Sequence, residues 1–266
     1  KIFATMLVDS HCHLDFAEFS HDIDDVVSRA NDVGVKTMLT ICTRLSKFYD
    51  VYAVAEKYPN IYCTVGVHPH EAENESQLTV QKLLEFSNKP KVVGFGETGL
   101  DFFYNKSAHN IQEQKFRMHI EAARAAQLPV IVHTRNADKD TIRILQDEIA
   151  KGVFPGVVHC FSGDRELAKE MIQLGFYISV SGIITFKNAA TLRDIILEEV
   201  PIERLLLETD SPYLAPVPKR GGRNEPAYSA YTARFLADLL SISEQKVADI
   251  TTKNFFQLFS KTSSSQ

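Results

Sequence analysis

The feature that most constrains this chain is a recurrence. Eight short apolar runs, most of them rich in β-branched residues, return along the sequence, and segments of helical period separate most of them. The runs lie at 6–9 (MLVD), 37–41 (TMLTI), 61–67 (IYCTVGV), 92–96 (VVGFG), 130–133 (VIVH), 156–159 (GVVH), 176–180 (FYISV) and 204–208 (RLLLE). Their hydrophobicity is nearly continuous rather than alternating, as in strands of a parallel sheet covered on both faces. Between them, residues 22–33, 46–57, 111–127, 139–150, 165–174 and 189–200 carry apolar positions three and four apart, the spacing of crossover helices. The expected class is therefore α/β. An open doubly wound sheet can be built from the same alternation, but eight units favour a closed TIM (β/α)8 barrel. A length of 266 residues suits one such domain, 1–266, with two extra C-terminal helices at 228–240 and 244–259. Residues 1–5 read as an upstream extension, and 261–266 (KTSSSQ) as a flexible polar tail.

Composition narrows the function classes. With a net charge of −5, the chain has no global attraction for a polyanion, so contact with nucleic acid has to rest on local cations such as Lys219, Arg220 and Arg223. Cys12, Cys42, Cys63 and Cys160 are scattered without a CxxC pair, and three lie in or beside apolar runs. Reduced, structural thiols of this kind point to the cytoplasm. No window approaches the roughly 18 apolar residues of a membrane span, so no membrane contact is expected. No segment calls for an obligate protein partner.

The chemistry sits at the ends of the runs. His11 and His13 fall just past the first, Glu97 at the end of the fourth, His133 at the end of the fifth, His159 at the end of the sixth and Asp210 just past the eighth. In a barrel these carboxyl ends converge on one face, where active sites of the fold lie. Residues i and i+2 of a strand share a face, so His11 and His13 can serve one cation. Glu97, with two oxygens, is suited to join it to a second cation held by His133 and His159, while Asp210 completes the first site and manages a proton. Two divalent ions are the expected cofactors, Mg²⁺, Zn²⁺ or Mn²⁺, with the imidazole-rich donor set favouring the transition metals. Asp210 and Glu97 are then the catalytic residues of a hydrolase.

The segments VDSHCHLDF, GVHPH, GFGETGLDFFY, VIVHTRNA, GVVHCFSG, LLLETDSPYLAP and RGGRNEP, in this order across nearly the whole chain, resemble the TatD family of metal-dependent deoxyribonucleases. The resemblance implies a barrel of the amidohydrolase superfamily, the six metal ligands just named, and 3′ to 5′ exonuclease action on DNA, on single strands or 3′ ends. It also places His68 in the substrate pocket, where the rival reading is a purely structural histidine. Gly222 stands where many relatives carry Lys, which leaves Arg220 and Arg223 as the phosphate contacts of that loop.

The remaining candidates each carry a bland alternative. Arg135 can reach a phosphate oxygen or pair with Asp138 or Asp140. Asp101 can orient a ligand or cap its turn. Phe102, Phe103 and Tyr104 can stack on a base or pack under the turn, and packing is the expected outcome. Ser162 and Gly163 are expected to open a helix and offer N–H groups to a phosphate. His70 reads as peripheral, His21, His109 and His119 as surface residues, and Cys12 as facing away from the metals. The competing functions are hydrolysis of an ester or amide, such as an aminoacyl-RNA ester, at the same metals, and a non-catalytic scaffold, which the intact ligand set disfavours.

Overall fold

The computed structural model describes residues 5–265, with side chains described through Thr262. Eight strands, β1 (Leu7–Cys12), β2 (Val35–Thr40), β3 (Ile61–Val65), β4 (Val92–Asp101), β5 (Val130–Arg135), β6 (Gly156–Val158), β7 (Tyr177–Val180) and β8 (Leu205–Leu207), pair in parallel in chain order. The helices between them are α1 (Ile23–Asp32), α2 (Phe48–Lys57), α3 (Val80–Ser87), α4 (His109–Ala126), α5 (Asp138–Ala150), α6 (Arg165–Gln173) and α7 (Ala190–Glu199), followed by α8 (Ser229–Leu240) and α9 (Glu244–Leu258). This is the TIM barrel expected from the alternation.

The continuous hydrophobicity resolves into two faces of period two. One set, Val8, Leu39, Tyr62, Val93, Ile131, Val157, Tyr177 and Leu206, takes one residue from each strand and packs with Phe255, Leu258 and Phe259 as the barrel's interior. The other set, including Leu7, Met38, Cys63, Val92, Val130, Val158, Ile178 and Leu205, packs beneath the helices. α6 shows how a helix is fitted to that outer layer. The Asp164 side chain accepts from the Leu167 N–H at 2.8 Å, a cap worth about 1 kcal/mol, and Leu167, Ala168 and Met171 form its buried stripe.

Between β1 and β8 the closure is irregular. The bonds Asp210 N to His11 O (2.8 Å), His13 N to Ser211 O (2.9 Å) and Ser10 Oγ to Leu207 O (2.8 Å) join them, so the barrel closes at the residues expected to carry the chemistry.

Several expectations need correction. β1 continues to Cys12 and β4 to Asp101, so His11 and Glu97 lie within strands rather than past or at their ends. The polar stretch Glu97-Thr98-Gly99 hides the second half of β4 from any hydrophobicity count. α3, only eight residues long, was not marked by its apolar spacing. Ser162 and Gly163 do not open a helix, since α6 starts at Arg165. The predicted flexible tail is docked at its start: Lys261 Nζ donates to the carbonyls of Ser87, Lys89 and Val92 at 2.7 to 2.9 Å, and Thr262 is fully buried. Residues 1–4 of the predicted extension lie outside the described residues, while Thr5 Oγ1 bonds Gln245 Oε1 at 3.2 Å.

Candidate metal centre

The interior layer sets the positions of the polar groups above it. On β5, β6 and β8 the inward residues Ile131, Val157 and Leu206 are followed two positions later by His133, His159 and Glu208, which therefore share their face one layer nearer the mouth. On β4 Glu97 lies four positions past the inward Val93, beside a register shift against β5 between Phe95 and Thr98. The strands approach unusually closely here: a Cβ on Gly66 would lie 2.6 Å from the Gly96 backbone, and one on Gly99, whose φ is +136°, 2.0 Å from His133 O. Only glycine permits that contact. Asp210 itself sits at φ +56°, a left-handed conformation that Asp tolerates better than most residues.

All six predicted ligands meet, and Glu97 stands between them. Its Oε1 lies 3.3 Å from His11 Nε2 and 3.8 Å from His13 Nε2, and those two nitrogens lie 3.5 and 3.2 Å from Asp210 Oδ1. Its Oε2 faces the other group, 3.0 Å from His133 Nδ1, 2.7 Å from His159 Nε2 and 3.4 Å from His68 Nε2. One buried carboxylate thus addresses two sets of imidazoles with separate oxygens.

Burial alone would neutralise these carboxylates, but the histidines reverse it. His159, His68 and His11 hold Glu97 well below its ordinary value, and His13, with His11 and His159, lowers Asp210. Both therefore present anionic oxygens. Both ring nitrogens of His11 are buried without a hydrogen-bond partner among the described residues, although Nε2 faces two carboxylates. An orphaned imidazole nitrogen aimed at two carboxylate oxygens suits a cation as its partner. Four imidazoles with two carboxylates fit a divalent transition ion better than an all-oxygen site would.

Three further carboxylates position the donors. Asp101 Oδ2 lies 2.9 Å from His133 Nε2, and Glu208 Oε2 lies 3.2 Å from His159 Nδ1, so each ring is gripped on the side away from Glu97. Glu208 Oε1 also accepts from Cys160 N–H at 2.6 Å. Asp9, whose carboxyl burial pushes up to about 8, accepts from His11 N and from both the N–H and hydroxyl of Thr209, tying β1 to the segment that carries Asp210. The sequence reading passed over Asp9 and Glu208. Their signal was a charge inside an apolar run.

The secondary candidates sort by position. Asp101 does both things expected of it, since Oδ1 also accepts from the Phe103 and Tyr104 N–H groups. His68 faces the cleft, with Nδ1 accepting from His70 N–H at 3.0 Å so that the neutral ring carries its proton on Nε2; burial lowers its pKa to about 4. His70, expected to be peripheral, lies in the cleft with Nε2 3.0 Å from Asp101 Oδ2. His119, expected at the surface, is fully buried: its Nε2 accepts from Val67 N–H, and its Nδ1 lies 2.6 Å from Lys115 O and 3.1 Å from Thr98 Oγ1. It pins β4 beside Glu97 and the segment leading to His68.

Arg135 lines the cleft, and pairs with neither Asp138 nor Asp140; its guanidinium rests 3.9 Å from the Phe103 ring centre. Arg220 and Arg223, by contrast, are not in the wall of the cleft. Arg223 is fixed by two 2.8 Å bonds to Asp22, and Arg220 lies 3.8 Å over Phe186, so the predicted phosphate contacts of that loop are committed elsewhere. Cys12 faces away from the centre, donating to Leu39 O, and all four cysteines are free thiols.

Comparison with known proteins identifies the family. The family model for TatD related DNases matches residues 8–260. A metal-dependent hydrolase of Escherichia coli, YcfH, itself described as uncharacterized, is 43% identical over 256 residues, covering 95% of each chain. The 3′-5′ ssDNA/RNA exonuclease TatD of Salmonella typhimurium is 34% identical over 258 residues, covering 95% of this chain and 98% of its own. Among solved structures, the TatD homolog YjjV of Escherichia coli superimposes with a TM-score of 0.89 at 32% identity, covering 97% of this chain and 99% of that one.

Proposed function

This chain belongs to the family of TatD related DNases, is a metal-dependent hydrolase, and, we propose on that premise, cleaves phosphodiester bonds of DNA as a 3′ to 5′ exodeoxyribonuclease with two divalent ions. The observation that carries the reading is the division of Glu97 between its two imidazole sets, supported by Arg135 in the wall of the same cleft. His11, His13 and Asp210 would hold one ion, His133 and His159 the other, and Glu97 both. Bound there, Mg²⁺, Mn²⁺ or Zn²⁺ would supply the Lewis acidity that makes water nucleophilic near neutral pH and offsets charge on the phosphoryl oxygens.

The chain's own groups do the rest. Asp210, held ionised, takes the proton of the attacking water as its oxygen bonds to phosphorus and the bond to the leaving sugar oxygen breaks. Arg135 offers its planar fork to a non-bridging phosphate oxygen, and His68 donates a hydrogen bond from its Nε2–H to another, keeping its proton. Asp101 and Glu208 keep His133 and His159 turned toward Glu97 throughout. Location in the cytoplasm is part of the same proposal.

The test is a steady-state panel on metal-loaded enzyme: single-stranded oligonucleotides, bis(p-nitrophenyl) phosphate and acyl esters. Turnover of the phosphodiesters is expected. Turnover of the acyl substrates alone would replace this reading with ester or amide hydrolysis.

A further inference from the structure

Two aromatic surfaces flank the centre, and the mechanism above uses neither. On the β1 and β8 side, Phe16 stacks on the His13 ring with centroids 4.6 Å apart, and Tyr213, 51% exposed, meets Phe16 at 6.3 Å. On the β4 and β5 side, Tyr104, 52% exposed, stands edge-on to His70 at 5.3 Å, with the Arg135 guanidinium 4.9 Å from its ring centre. Phe16, Tyr104, Arg135 and Tyr213 all line one cleft of about 930 Å³, whose wall also includes His13, Glu97, His133 and Asp210. Large rings left half in water on both walls of a reaction cleft are free to be covered by a ligand entering it.

The charges distinguish the walls. Arg135 and Lys106 line the cleft around Tyr104 with no carboxylate in ion-pair contact among the described residues. Arg44 and Lys47, also in the wall, are already matched, at 2.9 Å from Glu71 and 3.7 Å from Asp50. The Phe16 and Tyr213 side offers rings without such cations. Stacking is therefore available on both sides of the centre, and unmatched positive charge on one.

We infer that unpaired bases on either side of the cleaved linkage stack on Tyr104 and on the Tyr213 and Phe16 pair, with Lys106 holding the flanking backbone phosphate on the Tyr104 side while Arg135 stays on the cleaved one. The inference rests on the substrate being a nucleic acid, as proposed above. Stacking uses the face that every base has, so the track tolerates any sequence, while the interior base pairs of a duplex present no free face to either wall. Where the sequence reading expected packing for Tyr104, its exposure assigns it to substrate.

The experiment is fluorescence anisotropy on the metal-loaded enzyme with a labelled, fully phosphorothioate-linked single strand, either intact or carrying abasic residues at its 3′-terminal nucleotides, alongside cleavage of the ordinary strand. For the wild type, removing the bases is expected to raise Kd about tenfold or more, since each stacked base contributes on the order of a tenfold factor. In Tyr104→Ala and Tyr213→Ala the intact strand is expected to bind about tenfold more weakly, and the gap between intact and abasic strands to close. Phe substitutions at both positions should restore it, since the ring is kept. If both alanine variants keep the wild-type gap, the inference is overturned even where the strand is still cleaved. If the gap behaves as expected but no linkage is cleaved, the stacking track stands and the nuclease reading fails.

Discussion

The floor and the mouth of this barrel lie two residues apart on the same strands. Ile131, Val157 and Leu206 belong to the apolar layer closed by Phe255, Leu258 and Phe259; the next inward residues, His133, His159 and Glu208, belong to the candidate metal centre. In the lower layer, packing of apolar surface supplies stability. In the upper one, buried histidines and carboxylates are held by one another, with Asp210 in a left-handed conformation. The lesson is a division of labour written in period two, so substitutions at the mouth should remove activity and leave folding intact, and substitutions at the floor should do the reverse.

The strongest attempt to break that division is Asp210→Asn, which keeps shape and removes the proton acceptor. Turnover is expected to fall about 10³-fold even when divalent ion is supplied in excess to offset the weaker amide ligand, with melting temperature close to wild type. Activity within a few-fold of wild type would remove Asp210 from the chemistry. At the floor, Phe259→Ala empties a fully buried site and is expected to cost about 3 to 5 kcal/mol in denaturant unfolding, while the protein that remains folded keeps its kcat. A large loss of kcat there would mean that the two layers are coupled.

A smaller effect sharpens the comparison away from both layers. Glu148 on α5 is buried beneath Arg117 and Arg124, at 2.8 Å from each, and beside Lys151. Burial raises its carboxyl pKa, but bonds from Lys151, Arg124 and Arg117 outweigh it and hold it at about 2, below the ordinary 4.5. Its contribution to stability is thus present above about pH 4.5 and lost as the pH falls toward 2. Glu148→Gln should cost about 2 kcal/mol at neutral pH, with the difference from wild type shrinking through that acid window and turnover unchanged. Least affected should be Arg220→Ala, with stability changed by less than about 0.5 kcal/mol and oligonucleotide KM within about twofold of wild type. A tenfold rise in KM would return Arg220 to the substrate path.

Much of this was legible in the sequence for a physical reason. Strands buried on both faces must be apolar throughout, so the alternation of runs and helices exposed the fold, and imidazoles and carboxylates recurring near the carboxyl ends of the runs exposed the candidate site. What escaped was whatever depends on partners distant in sequence. Arg223 reads as a free cation until Asp22, 201 positions away, is seen to hold it. His119 reads as one polar position of a helix until Val67 and Thr98 close over it. Glu208 and Asp9 were in view, but a carboxylate in an apolar run announces only that it has a partner, not which one.

Whether this face is a metal-dependent nuclease centre is decided by measuring the metal content of the purified protein alongside degradation of a 3′-labelled single-stranded oligonucleotide, before chelation, after it, and after the divalent ion is returned. Bound divalent metal, loss of the label from the 3′ end, abolition by chelator and recovery on re-addition are expected. Degradation that persists undiminished in protein stripped of metal would contradict that reading.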